Sequence, residues 1–298
     1  MTYIELYNNI LRKKSFLCVG LDSDIEQIPE HLKKLEYPIF EFNKAIVDAT
    51  VQYAVAYKPN LAFYEAEGAK GWEQLAKTVD YIREKDPSVF IIADAKRGDI
   101  GNTAERYAKA YFEKMDFDAV TLSPYMGKDS IVPFLKYEGK WSVILALTSN
   151  FSADDFETLP LLGNIQLIED VSALYDSEGL YFTPSATVGS PLFKSVIEKS
   201  MRWGNVNNIM YVVGATRPQK LAEIRMYCPN NFILVPGVGA QGGTIAEVAR
   251  YGMNKSCGIL VNISRSIIFA SKGEDFAEAA SLKAAEAAIE MSGYLKDK

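Results

Sequence analysis

A closed parallel (β/α)8 barrel of the TIM type is the α/β fold this sequence predicts, on three observations. Eight short apolar runs recur along its 298 residues. Amphipathic helical segments separate them. Charged or glycine-rich residues punctuate the same end of nearly every run, as expected where parallel strands open onto a site at their C-terminal ends.

The runs are Phe16–Leu21, Ala54–Lys58, Val89–Ala93, Ala119–Leu122, Ser142–Leu147, Ile209–Val213, Phe232–Val235 and Gly258–Val261. They are continuous rather than alternating, because a parallel strand is covered on both faces. Among the helices, Phe40–Gln52 carries Ile46 and Val47, and Glu65–Lys85 carries Leu75, Val79 and Ile82 at spacings of four and three, a core-facing stripe. Thr103–Met115, Ser190–Trp203, Gln219–Met226 and Thr244–Tyr251 follow, and an Ala-rich helix from Asp275 to Met291 ends the pattern. Strands alternating with helices mean βαβ units. An open doubly wound sheet is the other arrangement such units permit.

No linker or internal repeat divides the chain, so residues 1–298 read as one barrel domain. The irregular part is 150–191, too long for a plain βα loop. Ile165, Ile168, Val171 and Leu174 predict a helix within it, and Phe182–Pro191 reads as loop.

Composition narrows the function. The net charge is −6 with no basic block, which argues against nucleic acid as the main partner. Cys18, Cys228 and Cys257 form no C-x-x-C pair and read as buried, reduced thiols of a cytoplasmic protein. No secretory signal precedes Arg12, Lys13 and Lys14, and no apolar run is long enough to span a membrane. The single histidine, His31, sits in a Pro- and Glu-containing loop and reads as a surface residue. Proton chemistry then falls to Lys, Asp, Glu or Tyr.

The strand ends carry those residues. Asp22 follows the first strand and Lys58 ends the second. The third ends in Asp94-Ala95-Lys96-Arg97-Gly98-Asp99, and the fifth in Thr148-Ser149-Asn150. Asp94 and Lys96 are two apart, so a continuing strand would turn both toward the barrel mouth. Charges buried there need partners, and Lys58 is a natural second cation in an alternating array. After the seventh strand, Pro236-Gly237-Val238-Gly239-Ala240-Gln241-Gly242-Gly243 leads into a helix, the form of an anion-binding loop, and Arg265 after the eighth could grip the same phosphate.

Asp94-Ala95-Lys96-Arg97-Gly98-Asp99-Ile100, with Thr103, resembles the Asp-x-Lys-x-x-Asp-Ile signature of the orotidine 5′-phosphate decarboxylases. Leu21-Asp22, Tyr57-Lys58-Pro59-Asn60, Thr148-Ser149-Asn150, Gly214-Ala215-Thr216-Arg217-Pro218, the glycine loop and Ser264-Arg265-Ser266 match in kind and order. The likeness runs from about residue 16 to 270 and is nearest the bacterial subgroup with longer chains.

The resemblance implies decarboxylation of orotidine 5′-monophosphate to UMP, the last step of de novo pyrimidine synthesis, with no metal and no organic cofactor. It implies a homodimer with shared sites. Lys96 would protonate C6, Asp94 would face the substrate carboxylate, and Lys58 would link Asp94 to the ribose hydroxyls. Asp22 would bind ribose and Ser149 the pyrimidine. Pro236 would contact the substrate, Gln241 and Arg265 would hold the phosphate, and Asp99 and Thr103 would reach into the partner's site. One departure is visible: Phe151-Ser152 stand where the family pattern has proline and glycine. A related metal-dependent barrel acting on sugar phosphates, and a non-catalytic nucleotide-binding barrel, are the competing expectations. Lys58 opposes the first, since an ammonium cannot ligate a metal, and the presence of both lysines opposes the second.

Overall fold

The computed structural model describes residues 1–161, 189–239 and 242–296, together with the backbone of 175–176 and 179–180. Eight parallel strands close in sequence order: β1 (Leu17–Leu21), β2 (Ala54–Pro59), β3 (Phe90–Arg97), β4 (Ala119–Leu122), β5 (Trp141–Leu147), β6 (Ile209–Val213), β7 (Ile233–Pro236) and β8 (Ile259–Ile263), with β8 pairing back onto β1. The eight apolar runs are thus the eight staves, and the open-sheet alternative is excluded. The main boundary difference is β3, which continues four residues beyond Ala93 and carries the charged residues on the strand itself.

The helices form where their caps and stripes allow. α1 (Tyr3–Lys13) starts with a reciprocal capping box between Thr2 and Glu5. α2 (Pro38–Thr50) opens with proline in its first turn, where a missing N–H costs nothing. α3 (Gly68–Lys85) buries Leu75, Val79 and Ile82 as the spacing predicts. α4 (Gly101–Lys109) runs on into a π turn over Ala110–Lys114. α5 (Leu192–Ser200), α6 (Pro218–Tyr227), α7 (Ile245–Gly252) and α8 (Phe276–Tyr294) complete the ring. α8 returns to α2, where Phe42 stacks on Phe276 and Phe269.

The barrel is closed at one end by aromatic rings. Trp141 starts β5, Phe90 starts β3 and Phe232 precedes β7. The indole meets both phenyl rings edge-on and is fully buried. With the N-terminal strand ends filled, a ligand enters from the opposite end. In the irregular segment, Pro160–Leu161 pairs with Ser190–Pro191, and Tyr175–Asp176 with Gly179–Leu180, both antiparallel. The helix predicted through Ile165–Leu174 lies outside the described residues.

Candidate active site

At the C-terminal ends of the strands lies a cavity of about 530 Å³. Seven of the ten candidate residues line it: Asp22, Lys58, Asp94, Lys96, Ser149, Pro236 and Arg265. Each comes from the end of a different strand or the loop behind it, apart from Asp94 and Lys96, which share β3.

The floor is a row of alternating charges. Lys58 Nζ lies 2.7 Å from Asp94 Oδ2 and 3.9 Å from Asp22 Oδ1. Lys96 Nζ lies 2.6 Å from Asp94 Oδ1. The side chains of Lys58 and Asp94 are 5% and 11% exposed, whereas that of Lys96 is 51% exposed. Burial alone would depress the Lys58 ammonium, but the carboxylates of Asp94 and Asp22 outweigh it and hold this pKa above the ordinary lysine value. Burial would likewise raise the Asp94 carboxyl, yet the ammoniums of Lys58 and Lys96 prevail and keep it well below the carboxylate range. Asp94 is therefore an anion between two cations at neutral pH. Asp22 differs: its Oδ1 is buried with no hydrogen-bond partner among the described residues, an acceptor left for a ligand's hydroxyl.

One wall is built from β5 and β6. Gly214, after β6, packs so closely that an added Cβ would stand 2.8 Å from the Ser149 Cα. Only glycine lets the two strand ends approach this way. Behind Ser149, the Thr148 N–H donates to Glu157 Oε2 at 2.7 Å, and Arg217 grips Asp154 through two bonds of 2.6 and 2.8 Å. These pins fix the 151–157 turn over the cavity despite the Phe151-Ser152 departure.

The phosphate end differs in detail from the expectation. The N–H groups of Gly239, Gly242 and Gly243 bond inside their own loop, to Gly243, Gly239 and Gly237 carbonyls at 3.0, 3.0 and 3.3 Å. They hold the loop's shape and do not point at an anion. Gly237, Gly239 and Gly242 all have positive φ, which explains the glycines. Gln241 lies outside the described residues. Arg265 lines the cavity and makes no ion pair among the described residues, so its guanidinium is available.

Asp99 and Thr103 do not join their own chain's cavity. The Asp99 carboxylate accepts the N–H of Ile100 at 2.8 Å, and Thr103 is exposed on the first turns of α4. The charge cluster is thus Asp22–Lys58–Asp94–Lys96, and Asp99 is not part of it within one chain. Sequence reasoning gave no role to Thr121, whose hydroxyl contacts Asp94, or to the cavity-lining Asn60, Phe156 and Glu157. The polar residue inside the apolar run Ala119–Leu122 was the available signal for Thr121.

Comparison with known proteins agrees with this geometry. The family model described as Orotidine 5'-phosphate decarboxylase / HUMPS family matches residues 15–280. A Phocaeicola vulgatus orotidine 5'-phosphate decarboxylase is 54% identical over 287 residues, 96% of each chain. The solved Leishmania donovani OMP decarboxylase superposes with a TM-score of 0.73 at 31% identity, covering 97% of this chain and 99% of that one. The UMP synthase of the same organism gives 0.79 at 33% identity; 99% of this chain is covered, but only 56% of that larger protein. A match over nearly the whole barrel, on the strand ends that build this cavity, shows that the chain belongs to the Orotidine 5'-phosphate decarboxylase / HUMPS family.

Proposed function

We propose that the chain decarboxylates orotidine 5′-monophosphate to UMP and CO2, without a metal or organic cofactor. The observation that carries this reading is the Lys58–Asp94–Lys96 row on the cavity floor. An ammonium occupies the place beside Asp94 where the metal-dependent branch of such barrels would need a ligand.

In this reading the bond from C6 to the carboxyl carbon breaks, CO2 departs, and the electron pair stays on C6 in the ring plane, where the π-system cannot accept it. Lys96, held by Asp94 and half exposed to the cavity, stabilises that charge and delivers a proton to C6. The fixed charges need no reorganisation as the carbanion forms. Asp94 faces the departing carboxylate. Lys58 and the Asp22 oxygen that lacks a hydrogen bond take the ribose hydroxyls. Ser149 takes the pyrimidine edge, and Pro236, Gln241 and Arg265 form the phosphate end, whose binding energy is available to desolvate the reacting centre.

We further propose a homodimer with shared sites. Asp99 and Thr103 do not line their own cavity and flank exposed Ile100, with exposed Tyr125 and Met126 on the neighbouring loop after β4. A single barrel domain with an insertion at 150–191, working in the cytoplasm, completes the proposal. No helix of the described residues is long and apolar enough to cross a membrane, and all three cysteines are buried.

The test is the ultraviolet absorbance of orotidine 5′-monophosphate with purified protein, with and without EDTA. Metal-independent loss of substrate absorbance with UMP as product is expected. Turnover that EDTA abolishes and Mg²⁺ restores would overturn the metal-free reading. UMP binding without turnover would favour a binding protein.

A further inference from the structure

We propose that Thr121 is a positioning residue for the Lys96–Asp94 pair, holding the proton donor in place through its main chain. This rests on the decarboxylase reading of the site.

β3 pairs with β4 through Ile92↔Ala119 and Ala93↔Val120, and next through Arg97↔Leu122. Four steps along β3 therefore span two along β4. Two extra residues bulge from β3 just where Asp94, Ala95 and Lys96 lie, and bulges re-aim side chains at the rims of barrels. On the other flank Asp94 bridges to Asn60. The bulge places Lys96 at φ +47, a left-handed backbone that is uncommon for any residue but glycine, Asn or Asp. It also takes the Lys96 N–H off the ladder.

Thr121 fills that gap. It is the β4 residue opposite the bulge, between Val120 and Leu122, and it is 1% exposed. Its Oγ1 accepts the Lys96 N–H at 2.9 Å and lies 3.0 Å from Asp94 Oδ1. Because the Lys96 N–H already donates to the oxygen, the hydroxyl proton is free to go to the Asp94 carboxylate. The same Asp94 oxygen accepts Lys96 Nζ at 2.6 Å. One hydroxyl thus ties the backbone of Lys96 to the carboxylate that holds the side chain of Lys96. The branched Cβ restricts the side-chain torsion and keeps the oxygen in place. Without it, a strained lysine would keep only its terminal contact, on a chain with four further rotatable bonds.

The experiment compares Thr121→Val, which keeps shape and loses the hydroxyl, with Thr121→Ser, which keeps the hydroxyl. Turnover of orotidine 5′-monophosphate is measured for both and for wild type. Valine should lower kcat roughly 10- to 100-fold with KM changed less than about 3-fold, the mark of lost alignment without lost binding. Serine should return kcat to within about 3-fold of wild type. Valine within about 2-fold of wild type in kcat, or serine no better than valine, would overturn the proposal. If the valine variant does not fold, Thr121→Cys, whose thiol is a weak donor and acceptor, is read on the same scale. A crystal structure of the variant provides a readout independent of substrate. Lys96 should leave the left-handed region, and an unchanged Lys96 backbone would count against the role. Wild type that fails to turn over the nucleotide would sink the function proposed above, and the crystal structure alone would then decide Thr121.

Discussion

Replacing Lys58 by methionine isolates the energetics of the charge row. The ammonium lies 2.7 Å from Asp94 and 3.9 Å from Asp22. At an effective dielectric of about 20, those separations correspond to gross attractions of roughly 6 and 4 kcal/mol. The net loss is smaller, because methionine also escapes the cost of burying a charge and Asp94 retains Lys96. Deleting one partner of a buried pair costs about 3–5 kcal/mol, so we expect the lower end, about 3 kcal/mol at pH 7. For a domain of 298 residues that is a fall in Tm of about 5 °C. Equilibrium urea unfolding followed by tryptophan fluorescence gives the number, with an unchanged m-value showing that the folded and unfolded states are comparable. The deficit should depend on pH. Asp94 has its pKa depressed in the fold, so its stabilisation is complete above the ordinary carboxylate pKa and is lost as pH falls through the lower folded value. Without Lys58 that carboxyl, left with Lys96 as its one cation, protonates at higher pH, so the deficit should shrink below about pH 5. Lys58 has its pKa raised, so in wild type its contribution persists until pH exceeds the ordinary lysine value. A variant within about 1 kcal/mol of wild type at pH 7 would refute the claim that this row is tightly coupled.

Arg265→Ala should raise KM for the nucleotide roughly 10- to 100-fold while leaving the affinity for the phosphate-free nucleoside unchanged, as loss of a charge-assisted contact to phosphate requires; equal losses for both ligands would remove Arg265 from the phosphate end. Mixing inactive Asp99→Ala and Lys96→Ala subunits should restore activity, because one hybrid site regains both residues, and heterodimers that form without recovery would show that the sites are not shared. The native protein should resist a thiol reagent at pH 8 and react at all three cysteines when unfolded, since burial pushes Cys18 up to about 12 and Cys228 up to about 11; fast reaction of the folded protein would show that the barrel opens.

The strands were legible because each is buried on both faces and must be apolar throughout. That rule fails at the end of β3. Asp94 and Lys96 are in the strand, but charged residues read as its terminus, and the partners that allow them there come from β2 and β4. Thr121 escaped notice for the complementary reason: a β-branched residue inside an apolar run reads as a strand former, and only the bulge opposite gives its hydroxyl a task. The short helix Val132–Leu135 was hidden by its proline, which is harmless in a first turn. Seven candidate residues converge because they sit at strand ends, whose direction the fold class sets. Asp99 and Thr103 lie past the strand, Asp99 in the loop before α4 and Thr103 exposed on its first turn. The inward bonding of the glycine loop was invisible, since glycines that permit a turn and glycines that present N–H groups look alike in sequence.

The charge row also determines what draws a nucleotide in. Two carboxylates, Asp22 and Asp94, face two ammoniums, Lys58 and Lys96, and their charges cancel. The cavity floor is an array of short-range dipoles with no net pull at a distance, set in a protein of net charge −6. A phosphorylated anion therefore approaches against a weakly repelling field and feels attraction only near the rim, where Arg265 stands. Moderate salt should leave its capture rate level or raise it, the reverse of an enzyme that steers its substrate electrostatically.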